Sequence, residues 1–255
     1  MTKIIYKYRN WTDDFHKDVL LQNKLYLSDP DSFNDPFDCK IFKNYTLLDS
    51  EEKRKEFVEL KRKAFEMSEQ EARDFFARLC DIDNFQKESE EVEFESIKKH
   101  LGVLSFSARW DSILMWSHYG NFHKGYCIGF NEEKMHNCRS FGKGGFVDYD
   151  DGYPVIDPTI DYDLIDIAFL QTHRKAKEWK YEEEYRITKL SYPEKFTDAK
   201  RVVLIPDNFI EEVNLGCCIS EENKNEIVEE CNRRKIKIFQ VDKVPFKFKL
   251  ERIEL

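Results

Sequence analysis

Glycine and proline are scarce in this chain, 9 and 7 in 255 residues, which excludes long flexible linkers and a turn-rich array of short β repeats. No hydrophobic run approaches the length of a membrane span, and the opening Met-Thr-Lys-Ile-Ile-Tyr-Lys-Tyr-Arg lacks the apolar centre of a secretory signal. A cytoplasmic protein with no membrane partner is expected. Cys-x-x-Cys is absent, the cysteines number an odd 7, and Cys217 and Cys218 are adjacent, a poor geometry for a bridge, so buried thiols are expected. Cys127, His136 and Cys138 match no standard zinc spacing, and no metal site is assigned. Basic excess is lacking as well: the formal net charge of −9 disfavours general binding to a nucleic acid backbone and leaves only a local basic cleft open. Gly142-Lys143-Gly144-Gly145 lacks the Walker spacing, and no Gly-x-Gly-x-x-Gly opens a βαβ unit. No permanently bound cofactor is therefore expected, although a nucleotide remains open as a substrate.

What is present is bulk. The 21 Phe, 12 Tyr and 4 Trp within 41% hydrophobic content supply one large core, read as a single domain over residues 1–255. Strands are expected over residues 4–8, 25–28, 102–107, 125–131, 146–149, 181–187, 201–205, 213–217, 237–241 and 246–253. Thr12 is expected to cap a short helix, and residues 32–38 to form a compact turn in which Asn and Asp side chains bond backbone amides. Residues 49–100 change texture to amphipathic helices, with Asp49-x-x-Glu52 and Ser68-x-x-Glu71 as capping boxes and Phe57, Leu60, Ala64, Met67, Ala72, Phe75, Phe76 and Leu79 at helical spacing. No Gly/Pro-rich linker flanks this stretch, so it reads as a helical insertion or lid within the domain. Further helices are expected over 111–119, 161–177 and 221–234. Helices and strands mix without regular βαβ alternation, which favours the α+β class with a mixed, mainly antiparallel sheet.

The chemistry concentrates in Lys175-Ala-Lys-Glu-Trp-Lys-Tyr-Glu-Glu-Glu-Tyr-Arg186. On a strand over 181–187, Glu182, Glu184 and Arg186 share one face, with Tyr181, Tyr185 and Ile187 on the other. Two carboxylates side by side in a cleft can hold a sugar hydroxyl and stabilise a developing positive charge. The same pattern on a helix is an i,i+4 ion pair, and in water it is a hydrophilic face. Leu104-Ser105-Phe106-Ser107 puts both hydroxyls on one strand face, but without the Gly-x-Ser-x-Gly elbow no serine nucleophile is assigned. Met115-Trp116-Ser117-His118-Tyr119-Gly120 packs three rings into one helical turn; His118 reads either as a general base or as a helix C-terminal hydrogen-bonding group.

Taken together, Tyr6-Lys7-Tyr8-Arg9, Asn34-Asp35-Pro36-Phe37-Asp38, Met115 to Gly120 and Trp179-x-x-Glu182-x-Glu184-Tyr185-Arg186 resemble a bacterial family of uncharacterised proteins from residue 4 to about 240. Arg9, Ser105-x-Ser107 and Glu182-x-Glu184 stand in the order of a more distant resemblance, to the ADP-ribosyltransferases of the Arg, Ser-x-Ser, Glu-x-Glu type. That resemblance implies a split sheet and NAD as substrate, with ADP-ribose passed to a macromolecule or to water. It makes Glu184 the catalytic acid and Glu182 its acceptor-side neighbour. Arg9 becomes a phosphate clamp, with Tyr8 as its rival for the inward position on the first strand. Ser105 and Ser107 shape the nicotinamide pocket, Trp116, His118 or Tyr119 stack on or contact the ligand, and Lys175 reaches a phosphate beside Arg186. A toxin or phage-defence protein would use such chemistry. Two other readings stay open: a non-enzymatic binding or structural module in which the same groups form a closed network, and a metal-independent nuclease using His118 with Glu184.

Overall fold

A computed structural model describes residues 3–255. The chain opens with β1 (Ile4–Arg9), α1 (Asp14–Leu21) and β2 (Lys24–Tyr26). Three helices follow, α2 (Glu51–Phe65), α3 (Glu69–Leu79) and α4 (Ile82–His100), then β3 (Leu101–Ser107), α5 (Ile113–His118), β4 (Tyr126–Asn131) and α6 (Glu132–His136). The middle of the chain adds β5 (Gly144–Phe146), β6 (Asp148–Asp150), α7 (Leu164–Thr172), β7 (Arg174–Ala176) and β8 (Glu184–Leu190). Last come α8 (Asp198–Arg201), β9 (Val202–Leu204), β10 (Ile210–Leu215), α9 (Glu221–Arg234), β11 (Lys237–Lys243) and β12 (Leu250–Glu254).

Eight strands form one sheet in the order β12-β11-β10-β4-β1-β3-β8-β5, parallel between β10 and β11 and antiparallel elsewhere, so the class is α+β with a mixed, mainly antiparallel sheet. Its pairing is uneven. β3 and β8 stay in register from Leu101–Leu190 to Ser107–Glu184, and β1 and β4 from Ile4–Asn131 to Arg9–Tyr126. Between β1 and β3, however, a single pair, Tyr6 opposite Ser107, holds the sheet together. The sheet is thus pinched at its centre, with five strands on one side of the pinch and three on the other.

One sheet face buries Ile5, Leu104, Phe106, Ile128, Phe130, Tyr185 and Ile187 under α1 and α9, which contribute Val19, Leu20, Ile227 and Cys231. A smaller cluster with Tyr6, Tyr8, Met115, Trp116, Val241 and Leu250 covers the five-stranded half from the other side. The helical stretch has an apolar cluster of its own, Leu48, Phe57, Val58, Ala72, Leu79 and Phe85. Leu60 and Ala64 lie outside it, Leu60 being 46% exposed, because α2 buries only the narrow stripe around Phe57 and Val58. No helix of the described residues is long and apolar enough to cross a membrane. The cysteines are all free; Cys39, Cys127 and Cys231 are buried as expected, whereas Cys80 and Cys218 are exposed.

Several boundaries shift for local reasons. Asp13, not Thr12, caps α1 by accepting from His16 N, and Ser50, not Asp49, caps α2. The Ser68/Glu71 capping box forms as expected, since the Ser hydroxyl and the Glu carboxylate satisfy each other's backbone amides. The helix expected over 161–177 is confined to Leu164–Thr172, because the next residues turn into β7. Phe246 and Phe248 precede β12 in a turn and are not strand residues.

Candidate active site

Strand pairing builds the site. Ser105 stands opposite Arg186 and Ser107 opposite Glu184, so these side chains share one sheet face. Beyond the Tyr6–Ser107 pair, β1 and β3 part, and a cleft of about 180 Å³ opens in the gap. Lys7 and Arg9 alternate with Tyr6 and Tyr8 and start on the opposite face, yet the parting lets all four border the cleft. The Lys7 ammonium spans the gap and donates to the Ser105 carbonyl at 2.7 Å.

Glu182 arrives by a different route from the one the alternation implies. Residues Lys177–Glu182 form a 3-10 turn, Glu183 takes a left-handed φ of 42°, and the strand begins only at Glu184. Residues 181–187 are therefore not one strand. The left-handed residue re-aims the chain so that both carboxylates still meet, while Tyr181 joins Tyr6 and Tyr8 instead of Tyr185 and Ile187.

At the centre lies Arg186, 1% exposed. A guanidinium has five N–H donors, and here each has an acceptor. Nε and Nη2 donate to Glu184 Oε1 and Oε2 at 2.7 and 2.9 Å, Nη1 and Nη2 to Asp38 Oδ1 and Oδ2 at 2.6 Å each, and Nη1 also to the Thr172 carbonyl at 2.7 Å. Lys175 Nζ binds Glu182 Oε2 at 2.6 Å and lies 3.5 Å from both Glu184 and Asp38. The Tyr119 hydroxyl donates to Glu182 Oε1 at 2.7 Å. Ser107 Oγ donates to the Glu182 carbonyl at 2.7 Å and so fixes the turn that carries this residue. His173, pushed down to about 4 by burial, stacks on Phe169 and sits 3.2 Å from the Arg186 carbonyl.

These contacts drive the two carboxylates apart. Burial raises the Glu182 carboxyl, and although Lys175 works against it, the neighbouring Glu184 helps keep it above the usual carboxylate range. Burial also acts on Glu184, but Arg186 and then Lys175 more than offset it and hold that carboxyl below the usual range. Asp38 is held down in the same way by Arg186. The opposite wall is held by no ion pair among the described residues. Lys7 and Arg9 bond only to the carbonyls of Ser105 and Tyr8 among the described residues, and Arg9 Nε and Ser105 Oγ have no partner at all. Burial and then the Arg9 charge depress Lys7 well below an ordinary lysine, and burial brings Arg9 to about 10. Lys7 is buried and Arg9 half-buried; the Glu184 charge acts on Lys7 and that of Asp13 on Arg9, but neither outweighs desolvation, so an anion entering the gap would favour the charged form of both.

Tyr8, Arg9, Ser105, Ser107, Tyr119, Lys175, Glu182, Glu184 and Arg186 all border this one cleft. Trp116 and His118 do not. Trp116 is sealed in the core, its indole N–H on the Trp110 carbonyl at 2.7 Å and its ring edge-on to Tyr8, so it backs the wall instead of stacking on a ligand. His118 is exposed beside Tyr181 and is not brought together with Glu184. Residues 115–187 match a family described as Protein of unknown function (DUF2971). The match takes in Tyr119, Lys175, Glu182, Glu184 and Arg186 but neither β1 nor Asp38, and it is shorter than the stretch from residue 4 to about 240 over which a family resemblance is expected. No curated protein and no solved structure matches the chain.

Sequence reasoning passed over Asp38 and Lys7. Asp38 sits in the expected turn, where Asp35 Oδ1 indeed accepts from Phe37 N at 2.9 Å, but its own carboxylate leaves the turn for Arg186. The signal available was a second acid in a loop already rich in Asp. No group of three His, Cys, Asp or Glu among the described residues is placed to hold a metal ion; the acids gathered here are engaged by Lys175 and Arg186.

Proposed function

We propose that the cleft takes NAD as a substrate and breaks its bond between ribose and nicotinamide, passing ADP-ribose to a macromolecule or to water. One observation carries the reading: two carboxylates with diverging proton affinities share a gap in the sheet with the buried Lys7 and the half-buried Arg9, neither of which is in an ion pair among the described residues. As nicotinamide departs, the bonding pair goes to its cationic ring nitrogen, which becomes neutral, and positive charge develops on the ribose carbon. Glu184, ionised under Arg186 and Lys175, is the fixed negative charge for that carbon. Glu182, whose proton affinity is raised, accepts the proton of the attacking hydroxyl while Tyr119 and Lys175 hold it in place. Arg9, with Lys7, neutralises the pyrophosphate, and the free Ser105 hydroxyl is left to meet the ligand. A gap of about 180 Å³ is smaller than pockets that enclose a whole drug-sized ligand, about 300–1,000 Å³, so only the reacting part of the dinucleotide is enclosed. Such chemistry would suit a toxin or a phage-defence protein acting in the cytoplasm.

A second reading has its own support. Glu184 spends both oxygens on Arg186 and one also faces Lys175, the state of a closed structural pair. In that case the cleft binds a nucleotide without turning it over. Nicotinamide release by the purified chain in the presence of cell lysate, with NAD binding followed by calorimetry, separates the two. Turnover that falls about 10²–10³-fold in Glu184→Gln, and also falls in Glu182→Gln, with far-ultraviolet circular dichroism unchanged, supports the enzyme. Binding without release supports the module. Neither binding nor release by the wild type overturns both.

A further inference from the structure

β11 and β12 are joined by residues 244–249, where Val244 N donates to the Lys249 carbonyl at 2.9 Å and Lys247 N to the Val244 carbonyl at 3.2 Å. Pro245 leads into Phe246, whose φ of 59° is left-handed and tightens the turn. The consequence is two phenyl rings clear of the chain: Phe246 is 108% and Phe248 101% exposed. Single exposed apolar side chains are ordinary on any surface, and this chain has others. What differs here is that two rings share one hairpin tip with Lys243, Lys247 and Lys249, and none of these ammonium groups is in an ion pair among the described residues.

We propose that this hairpin tip docks on an anionic phospholipid surface, Phe246 and Phe248 entering the interface while Lys243, Lys247 and Lys249 meet the headgroups. Rings exposed over their whole surface can be covered only by something that surrounds them. A soft interface does this for a protruding ring, whereas a flat protein face would need matching pockets. Aromatic rings favour the membrane interface, and each lysine near an anionic leaflet adds attraction. Net charge supplies the orientation: the chain carries −9 overall, so an anionic surface repels most of it and draws in a tip where two exposed rings alternate with ammonium groups that are in no ion pair among the described residues. Peripheral docking needs no membrane span, so it amends the expectation of no membrane partner without requiring one. It stands apart from the chemistry assigned to the cleft, which the tip does not line.

Co-sedimentation of the full chain with vesicles tests it, comparing phosphatidylcholine alone with phosphatidylcholine mixed with phosphatidylserine. The wild type should sediment with the mixed vesicles, be released by raised salt, and stay largely in solution with phosphatidylcholine alone. Phe246→Asn with Phe248→Ser, Asn being a residue that tolerates the left-handed backbone, should lower the bound fraction about tenfold or more. Lys247→Glu with Lys249→Glu should do the same, at about fivefold per lysine removed, with circular dichroism unchanged. A wild type that ignores mixed vesicles overturns the proposal, as does binding that the double Phe variant retains. A dimer that the Phe variant dissociates, in a chain indifferent to vesicles, would assign the tip to a second copy and also overturn it. So would vesicle-independent capture of single-stranded nucleic acid through the same lysines and rings.

Discussion

Replacing Arg186 by Met tests the centre of the site most sharply. The side chain is buried, makes five donor contacts, and binds Asp38 and Glu184 in bidentate fashion. Met keeps much of the volume but leaves two buried carboxylates with only the Lys175 ammonium, 3.5 Å from each. Removing one partner from a buried ion pair costs about 3–5 kcal/mol, because the other charge stays desolvated. In a domain of this size, where each kcal/mol moves the midpoint about 2–4 °C, the melting temperature should fall by about 6–20 °C. The pH dependence gives a second, independent check. In the wild type, Asp38 and Glu184 are held below their usual range, so their contribution is present above the unfolded values and is lost as pH falls through the folded ones. In the variant the same carboxyls, buried without Arg186, should rise above the unfolded values and favour folding as they protonate. The deficit should therefore narrow as pH drops below about 5. Arg186→Lys, which keeps the charge but not the fork, should fall between the two. Urea unfolding at a series of pH values reads all of this. A deficit under about 1 kcal/mol at neutral pH, or one that stays flat on acidification, would refute the assignment of a tightly coupled charged centre.

Three further outcomes are expected. Glu182 is raised, so nicotinamide release that needs it ionised should decline as pH falls through a value above the roughly 4.3 of an ordinary glutamate, and the pH–rate profile of Glu182→Gln should lose that limb. Ser105→Ala removes a hydroxyl that has no partner among the described residues, so urea stability should stay within about 0.5 kcal/mol, while calorimetry should show NAD affinity weakened about fivefold. Gly125→Ala places a Cβ 2.1 Å from the Arg9 carbonyl, a backbone atom that can yield only by moving β1, and a loss of about 1–3 kcal/mol in urea unfolding is expected.

Where chemistry is local, the sequence is a good guide to this fold. α9 occupies Glu221–Arg234 as its spacing predicts, with the Ser220 hydroxyl capping Asn223 N, and the Ser68/Glu71 box starts α3. Such signals sit within one helical turn and owe nothing to the rest of the chain. Tertiary demands move the other boundaries. The run from Tyr181 to Ile187 has strand-like alternation, but the chain must enter β8 from a 3-10 turn, and a left-handed Glu183 absorbs the change of direction. A non-glycine residue in that conformation gives no warning in the sequence. Phe246 is the same case: alternation with Phe248 reads as strand, whereas its positive φ puts both rings on a turn.

The site shows the same division at longer range. Side-chain chemistry alone brought Glu182, Glu184, Arg186 and Lys175 into consideration, since acids and bases at close spacing need no knowledge of the fold. Asp38 joins them from 148 residues before Arg186, and nothing in its own loop distinguishes it from Asp35, which serves the turn. Lys7 is harder still. On a paired strand its place opposite Tyr6 and Tyr8 would be explained by alternation, and its charge would be counted as surface. It becomes part of the site only because β1 and β3, whose Lys7 and Ser105 lie 98 residues apart, meet at one pair and then separate. A gap between strands is a property of two segments and belongs to neither. The alternation that sets Tyr8 against Arg9 for the inward position is for that reason not a choice: where the sheet parts, residues from both sides of β1 border the same space, across from the carboxylates carried by β8, the turn before it and the Asp38 loop.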